Sequence, residues 1–137
     1  MEELVIIEKC PTVEEYIELR KAVKWKVIDI ENIKKGLKNS IYSVCIKDKE
    51  RMIGFGRIVG DGGTVFYIQD IIVDPQYQNK KIGTKIMEKI MNYIENNCSK
   101  DAIIGLIAVS ELDDFYTNFG FVHNENNYFY RLNMWWL

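Results

Sequence analysis

At 137 residues, with 47% hydrophobic and 28% charged side chains, the chain has the length and balance of one folded domain around one core. A formal charge of -2 excludes the strongly basic footprint of a nucleic-acid binder. Cys10, Cys45 and Cys98 are odd in number and lack a CxxC pair, which argues against a disulfide framework or zinc site and for small buried thiols in a reducing compartment. One histidine, His123, is too few for a histidine-based metal centre, so no metal is expected. The N-terminal MEELVIIEKCP is too short and acidic for a signal peptide, and no apolar run reaches membrane-spanning length. A cytoplasmic protein with no membrane or nucleic-acid partner is the expectation.

LVIIEK reads as a first strand. Thr12 and Glu15 then form a capping box that opens a helix whose apolar side is Val13, Tyr16, Ile17 and Val23. Arg20 falls near that stripe, where an arginine ordinarily extends to the rim, the alternative being a substrate contact. Residues 28–40 suggest a second helix ended by Gly36. IYSVCIK and MIGFGRIVG are strands flanking a hairpin loop, residues 48–51, and Asp61-Gly62-Gly63 turns the chain into TVFYIQDIIV. That third run is nearly all apolar, as a strand covered on both faces must be. IGTKIMEKIMNYIENN, with Ile82, Ile86, Ile90 and Ile94 at four-residue spacing, is a long amphipathic helix. Residues 102–109, AIIGLIAV, follow as a strand parallel to the one before that helix. SELDDFYTNFGF carries a short helix ended by Gly120, and NNYFYRLNMWWL closes as a strand whose Trp135 and Trp136 suit a core or a homodimer contact. One α+β domain over residues 1–137, with a mixed, mostly antiparallel sheet flanked by helices, is the outcome.

Three places hold chemistry. DPQYQNKKIG leads into the first turn of the long helix, whose free N–H groups and dipole favour phosphate, with Lys80 and Lys81 at the mouth. An ordinary basic helix start reads the same way. Neither GxxxxGK[ST] nor GxGxxG is present, and no nucleophile motif lies near His123. Gln69-Asp70 interrupts an apolar strand, so Asp70 is either a structural tie or a functional carboxylate. In DFYTNFGF, Phe115, Phe119 and Phe121 are core, while Tyr116 is either a satisfied buried phenol or a proton donor.

These features together resemble the GNAT superfamily of N-acetyltransferases. Gln78-Asn79-Lys80-Lys81-Ile82-Gly83 is similar to the acetyl-CoA signature Q/R-x-x-G-x-G/A, and Phe115-Tyr116-Thr117-Asn118-Phe119-Gly120-Phe121 to the FY-x-x-x-GF signature. Lys81 stands where the family usually has its first glycine, so a left-handed backbone there is expected to be costly. Val109 and Leu112 replace an asparagine and an alanine that help seat the cofactor in many members.

The resemblance implies a GNAT-like fold whose parallel strands splay apart, between the strand ending at Val73 and the one ending near Val109. Acetyl-CoA would be the co-substrate. Pantetheine would bond along Ile71, Ile72 and Val73, and the pyrophosphate would rest on amides of Gln78, Asn79, Lys80, Lys81, Ile82, Gly83 and Thr84. The reaction implied is direct acetyl transfer from the thioester to a primary amine. In it Asp70 is the candidate base, helped by Gln69; an N–H near Ile71 is the oxyanion donor; and Tyr116 is the acid for the departing thiolate, also touching the cofactor. The acceptor site would lie at residues 25–40 and 57–63, where Asp29, Glu31 and Asp61 could draw a cationic amine or simply be solvated. Small amines, polyamines, aminoglycoside-like compounds and peptide N-termini stay open. An acyl-CoA-binding sensor without turnover is the alternative function.

Overall fold

Five strands order as β1 (Leu4–Ile7), β2 (Tyr42–Asp48), β3 (Arg51–Gly60), β4 (Val65–Val73) and β5 (Ile103–Leu106), in one sheet that follows chain order. The computed structural model describes residues 3–26, 28–108 and 110–124. Neighbours pair antiparallel except β4 and β5, which are parallel. The crossover between those two is a helix, as parallel connection requires. Two compact units divide the chain, 1–107 with the whole sheet and 108–137 with the aromatic signature, and each is described by itself. The closing strand expected from NNYFYRLNMWWL, and with it Trp135 and Trp136, lies outside the described residues.

Helix α1 (Val13–Ala22) starts where the capping box places it: Thr12 Oγ accepts from the Glu15 amide, and the Glu15 carboxylate accepts from the Thr12 amide. Helix α2 (Ile30–Lys38) is capped by Asp29 and runs through Gly36 rather than stopping there. Ile33 and Leu37 are both buried on its apolar side, and that stripe holds the helix together across the glycine. Helix α3 (Ile82–Asn97) has the predicted bounds, and Ile82, Ile86, Met87, Ile90 and Ile94 form its buried stripe.

The helices occupy opposite faces of the sheet. Tyr16, Leu19, Ile33 and Leu37 of α1 and α2 pack on Cys45, Phe55 and Ile72. On the other face α3 lies directly on β3: a Cβ built on Gly56 would come within 2.6 Å of Ile86 Cγ2 and 2.7 Å of Ile71 Cδ1. Gly56→Ala is therefore expected to destabilise the fold by about 1–3 kcal/mol through overpacking, read as a lowered denaturant midpoint at unchanged m.

Of the three cysteines only Cys45 is buried; Cys10 is exposed, contrary to the expectation of a small buried thiol. Burial pushes the Cys45 thiol up to about 12. The sign follows from linkage: the unfolded thiol ionises first, so stability falls as pH rises above about 8.5 and toward the folded value.

Candidate active site

Strand β4 changes character halfway along. Its pairs with β3 run Phe55↔Ile72 and then Arg57↔Gln69, so Asp70 and Ile71 together face Gly56 alone. This is a β-bulge, with Asp70 in the left-handed region at φ 59. Aspartate tolerates that region better than most residues. The extra residue turns both Gln69 and Asp70 toward the α1–α2 face, while Ile71 packs toward α3. Pairing with β5 ends at Ile68↔Leu106, so beyond it no described strand pairs with residues 69–73 on that edge. β5 itself ends at Leu106, short of Val109, which is outside the described residues, so beyond Ile68 this edge of β4 is left uncovered by any described strand.

Asp70 is buried, and its two oxygens take four donors. Oδ2 accepts from Tyr16 Oη at 2.7 Å and Arg57 Nε at 3.0 Å; Oδ1 accepts from Gln69 Nε2 at 3.2 Å and Arg20 Nη1 at 3.4 Å. Arg20 also donates to Tyr16 Oη at 3.1 Å and to the Lys26 carbonyl, and its guanidinium lies 5.5 Å and 5.4 Å from the Tyr16 and Trp25 ring centres. Arg20 is thus buried and paired, not extended to the rim as its position on the stripe suggests. Burial, and then the neighbouring carboxylate, push the Tyr16 phenol up. The Asp70 carboxylate would have to give up one of these donors before it could take a proton from a substrate, which speaks against the base role expected of it. Tyr16 reads in the sequence only as part of an apolar stripe and Arg57 only as the first residue of the expected acceptor stretch 57–63; their bonds to Asp70 are not legible there. The signal for Arg57 was there, a lone charge within the apolar run MIGFGRIVG.

At the far end of β4 the chain turns through a 3-10 segment, Pro75–Tyr77, into the loop before α3. Two ion-pair and hydrogen-bond ties fix this turn to the β2–β3 hairpin: Arg51 to the buried Asp74 carboxylate, and Tyr77 Oη to Asp48. Asp74 Oδ1 also accepts the Gln76 amide at 2.9 Å, and Gln78 Nε2 reaches back to the Val73 carbonyl at 3.4 Å. Asn79 and Lys81 both take left-handed backbone, φ 66 and 62, and Lys81 is the residue before the first helical position with no side-chain cap. The glycine-like conformation is thus reached by a lysine. Gly83 and Thr84 lie in the first turn of α3, and Lys80 Nζ stands 5.4 Å from the Tyr77 ring centre. A helix N-terminus left without a side-chain cap, on a loop with this geometry, suits an anion. Lys81→Gly is expected to stabilise the fold by about 0.5–1 kcal/mol, the relieved left-handed strain outweighing the entropy of glycine, as a raised melting temperature would show.

In the second unit, helix α4 (Asp113–Thr117) carries Tyr116, whose ring is buried edge-on against Phe115 at 4.9 Å and Phe121 at 6.4 Å. Gly120 ends the turn at φ 90. Burial pushes the Tyr116 phenol above its usual value, so it stays protonated through the neutral range. His123 pairs with Asp113 at 2.9 Å. Among the described residues no cluster of metal-ligating side chains is found, and no helix is long and apolar enough to cross a membrane.

The acids expected to draw a cationic amine are engaged locally. Asp29 Oδ2 accepts the Glu31 and Asn32 amides at the start of α2. Asp61 takes the Gly63, Thr64 and Val65 amides and the Thr64 hydroxyl, which hold its carboxyl well below the usual carboxylate range. Glu31 pairs with Lys34.

A mixed sheet with one parallel pair, joined by a helix that starts without a side-chain cap, suits the frame of an acetyltransferase. The family model described as the acetyltransferase (GNAT) domain matches residues 12–136, and the chain belongs to this family. It is similar to a solved Staphylococcus aureus protein described as a probable acetyltransferase of unknown function, with 38% identity and a TM-score of 0.87, covering 95% of this chain and 98% of that one. A GNAT-family acetyltransferase from Streptococcus pneumoniae is 27% identical with a TM-score of 0.72, over 88% of each chain. A chloroplastic GCN5-related N-acetyltransferase of Arabidopsis thaliana is 32% identical over 75 residues, 55% of this chain and 28% of the relative. An uncharacterised N-acetyltransferase of Porphyra purpurea is 25% identical over 74% of this chain and 59% of the relative. The chain thus spans less than two thirds of the length of these curated relatives.

Proposed function

We propose that the protein is an acetyl-CoA-dependent N-acetyltransferase acting on a primary amine. One observation carries the reading: the left-handed loop at Asn79 and Lys81 delivers an uncapped α3 N-terminus to the end of β4, whose residues 69–73 no described strand covers on the β5 side. On this reading pantetheine bonds as an added strand along Ile71, Ile72 and Val73, and the pyrophosphate rests on amides from Gln78 to Thr84. The amine nitrogen attacks the thioester carbonyl carbon, and the oxyanion takes an N–H near Ile71, where the bulge re-aims the backbone. The carbon–sulfur bond then breaks. Tyr116 gives its proton to the sulfur, and the proton lost by the amine passes to water, from which the tyrosinate regains the phenol proton. Asp70 serves as a positioning residue, fixing the bulge, and Gln69 orients the acceptor.

Calorimetric titration with acetyl-CoA, followed by thiol release against an amine panel, tests this directly. Binding with turnover supports the transferase. Tight binding without thiol release for any amine would instead make the protein an acyl-CoA sensor.

A further inference from the structure

We infer that the acceptor amine also carries an anionic group, a carboxylate or a phosphate, and that Arg57 Nη2 is its contact. The inference rests on the transferase reading above and names the substrate class of that same site. If the phosphates of the cofactor rest on α3, the thioester enters the opening beside β4 from the α3 face of the sheet, and the amine must come from the opposite face, that of α1 and α2. The bulge turns Gln69 and Asp70 to that face, and Arg20, Arg57 and Tyr16 surround them.

The charges there do not cancel. Two guanidinium groups share one carboxylate. Arg20 has every nitrogen engaged, by the Lys26 carbonyl, Tyr16 and Asp70. Arg57 does not: Nε donates to Asp70, and Nη1 to the Gly36 carbonyl and Ser40 Oγ, both at 3.1 Å, while among the described residues Nη2 has no partner. The side chain is 14% exposed, and no buried polar side-chain atom is left unsatisfied, so Nη2 reaches solvent. The two helices that cover this face add a small surplus of the same sign: residues 13–38 hold seven lysines and arginines against five acids, Glu14, Glu15, Glu18, Asp29 and Glu31, in a chain of net charge -2 overall. Of these acids Glu15, Asp29 and Glu31, and beyond them Asp61, are already engaged by backbone amides, a hydroxyl or a lysine. A face of this sign repels polycations and concentrates anions, and a planar guanidinium edge recognises carboxylate and phosphate oxygens.

Steady-state kinetics with matched amines test it: tyrosine against tyramine for a carboxylate, glucosamine 6-phosphate against glucosamine for a phosphate, and spermidine as a polycation. At least one anionic member is expected to exceed its uncharged-side partner in kcat/KM by about tenfold or more, with spermidine poorest. In Arg57→Gln that ratio collapses toward unity through KM of the acceptor, with the acetyl-CoA Kd unchanged, and Arg57→Lys restores part of it. Should Arg57→Gln fail to fold, wild-type protein still decides, because raised salt must shrink the ratio. Equal or better turnover of neutral amines or spermidine, or a ratio indifferent to salt, overturns the inference while leaving the transferase intact. Absence of thiol release from every amine overturns both.

Discussion

Asp70→Ala is expected to lower the stability of the folded protein by about 3–5 kcal/mol, enough to unfold a large part of a marginally stable domain at ambient temperature. The reason is what stays behind. Arg20 and Arg57 have side chains only 10% and 14% exposed, and the carboxylate between them is fully buried. Removing it leaves two guanidinium groups facing each other in a site with little solvent, a Tyr16 hydroxyl without its acceptor, and a left-handed residue without the bonds that hold it. Chemical denaturation reads the effect as a drop in midpoint; a change under about 1 kcal/mol would mean that the network is not structural. Asp70→Asn separates structure from chemistry. It keeps the shape and two hydrogen-bonding positions while removing the charge, so stability falls. The rising limb of kcat/KM with pH is nevertheless expected to stay where it is in wild type. A limb that shifts or vanishes would return Asp70 to the role of base.

Tyr116→Phe is expected to lower kcat about a hundredfold, the lower end of what a positioned acid contributes, with the acetyl-CoA Kd little changed. The ring keeps its packing against Phe115 and Phe121, so any loss belongs to the hydroxyl. A pH profile sharpens the test. Because burial raises the phenol, its protonated form persists below a pKa that lies above about 10, and the acid is lost only as pH rises through that value. Activity that depends on Tyr116 should therefore show no loss of the acid in the neutral range. Unchanged turnover with intact cofactor binding would remove Tyr116 from the mechanism.

Much of the protein can be read where its determinants are local. The Thr12–Glu15 capping box starts α1 at the predicted residue, the isoleucine spacing bounds α3 correctly, and the two signatures identify the family before any contact is known. Asp29 and Asp61 are exposed, as surface acids should be, and each also precedes the amides it binds by only two to four residues, as capping and turn-forming aspartates do. Lys81 takes the left-handed backbone that is costly for a residue other than glycine, and the ties from Asp74 to Arg51 and from Tyr77 to Asp48 fix the turn that leads into the loop, so the costly conformation is held from outside.

By itself, the sequence determined the order of the elements, the helix that offers its N-terminus, and the tyrosine and glycine signatures, because each depends on periodicity or spacing within a few turns of chain. Only the tertiary structure decided what Asp70 does. Its donors come from positions 16, 20, 57 and 69, and a buried carboxylate is defined by the charges brought to it, which no local pattern records. The surplus charge at Arg57 has the same origin. It exists because three distant segments fold onto one face of the sheet with two cations and one anion among them.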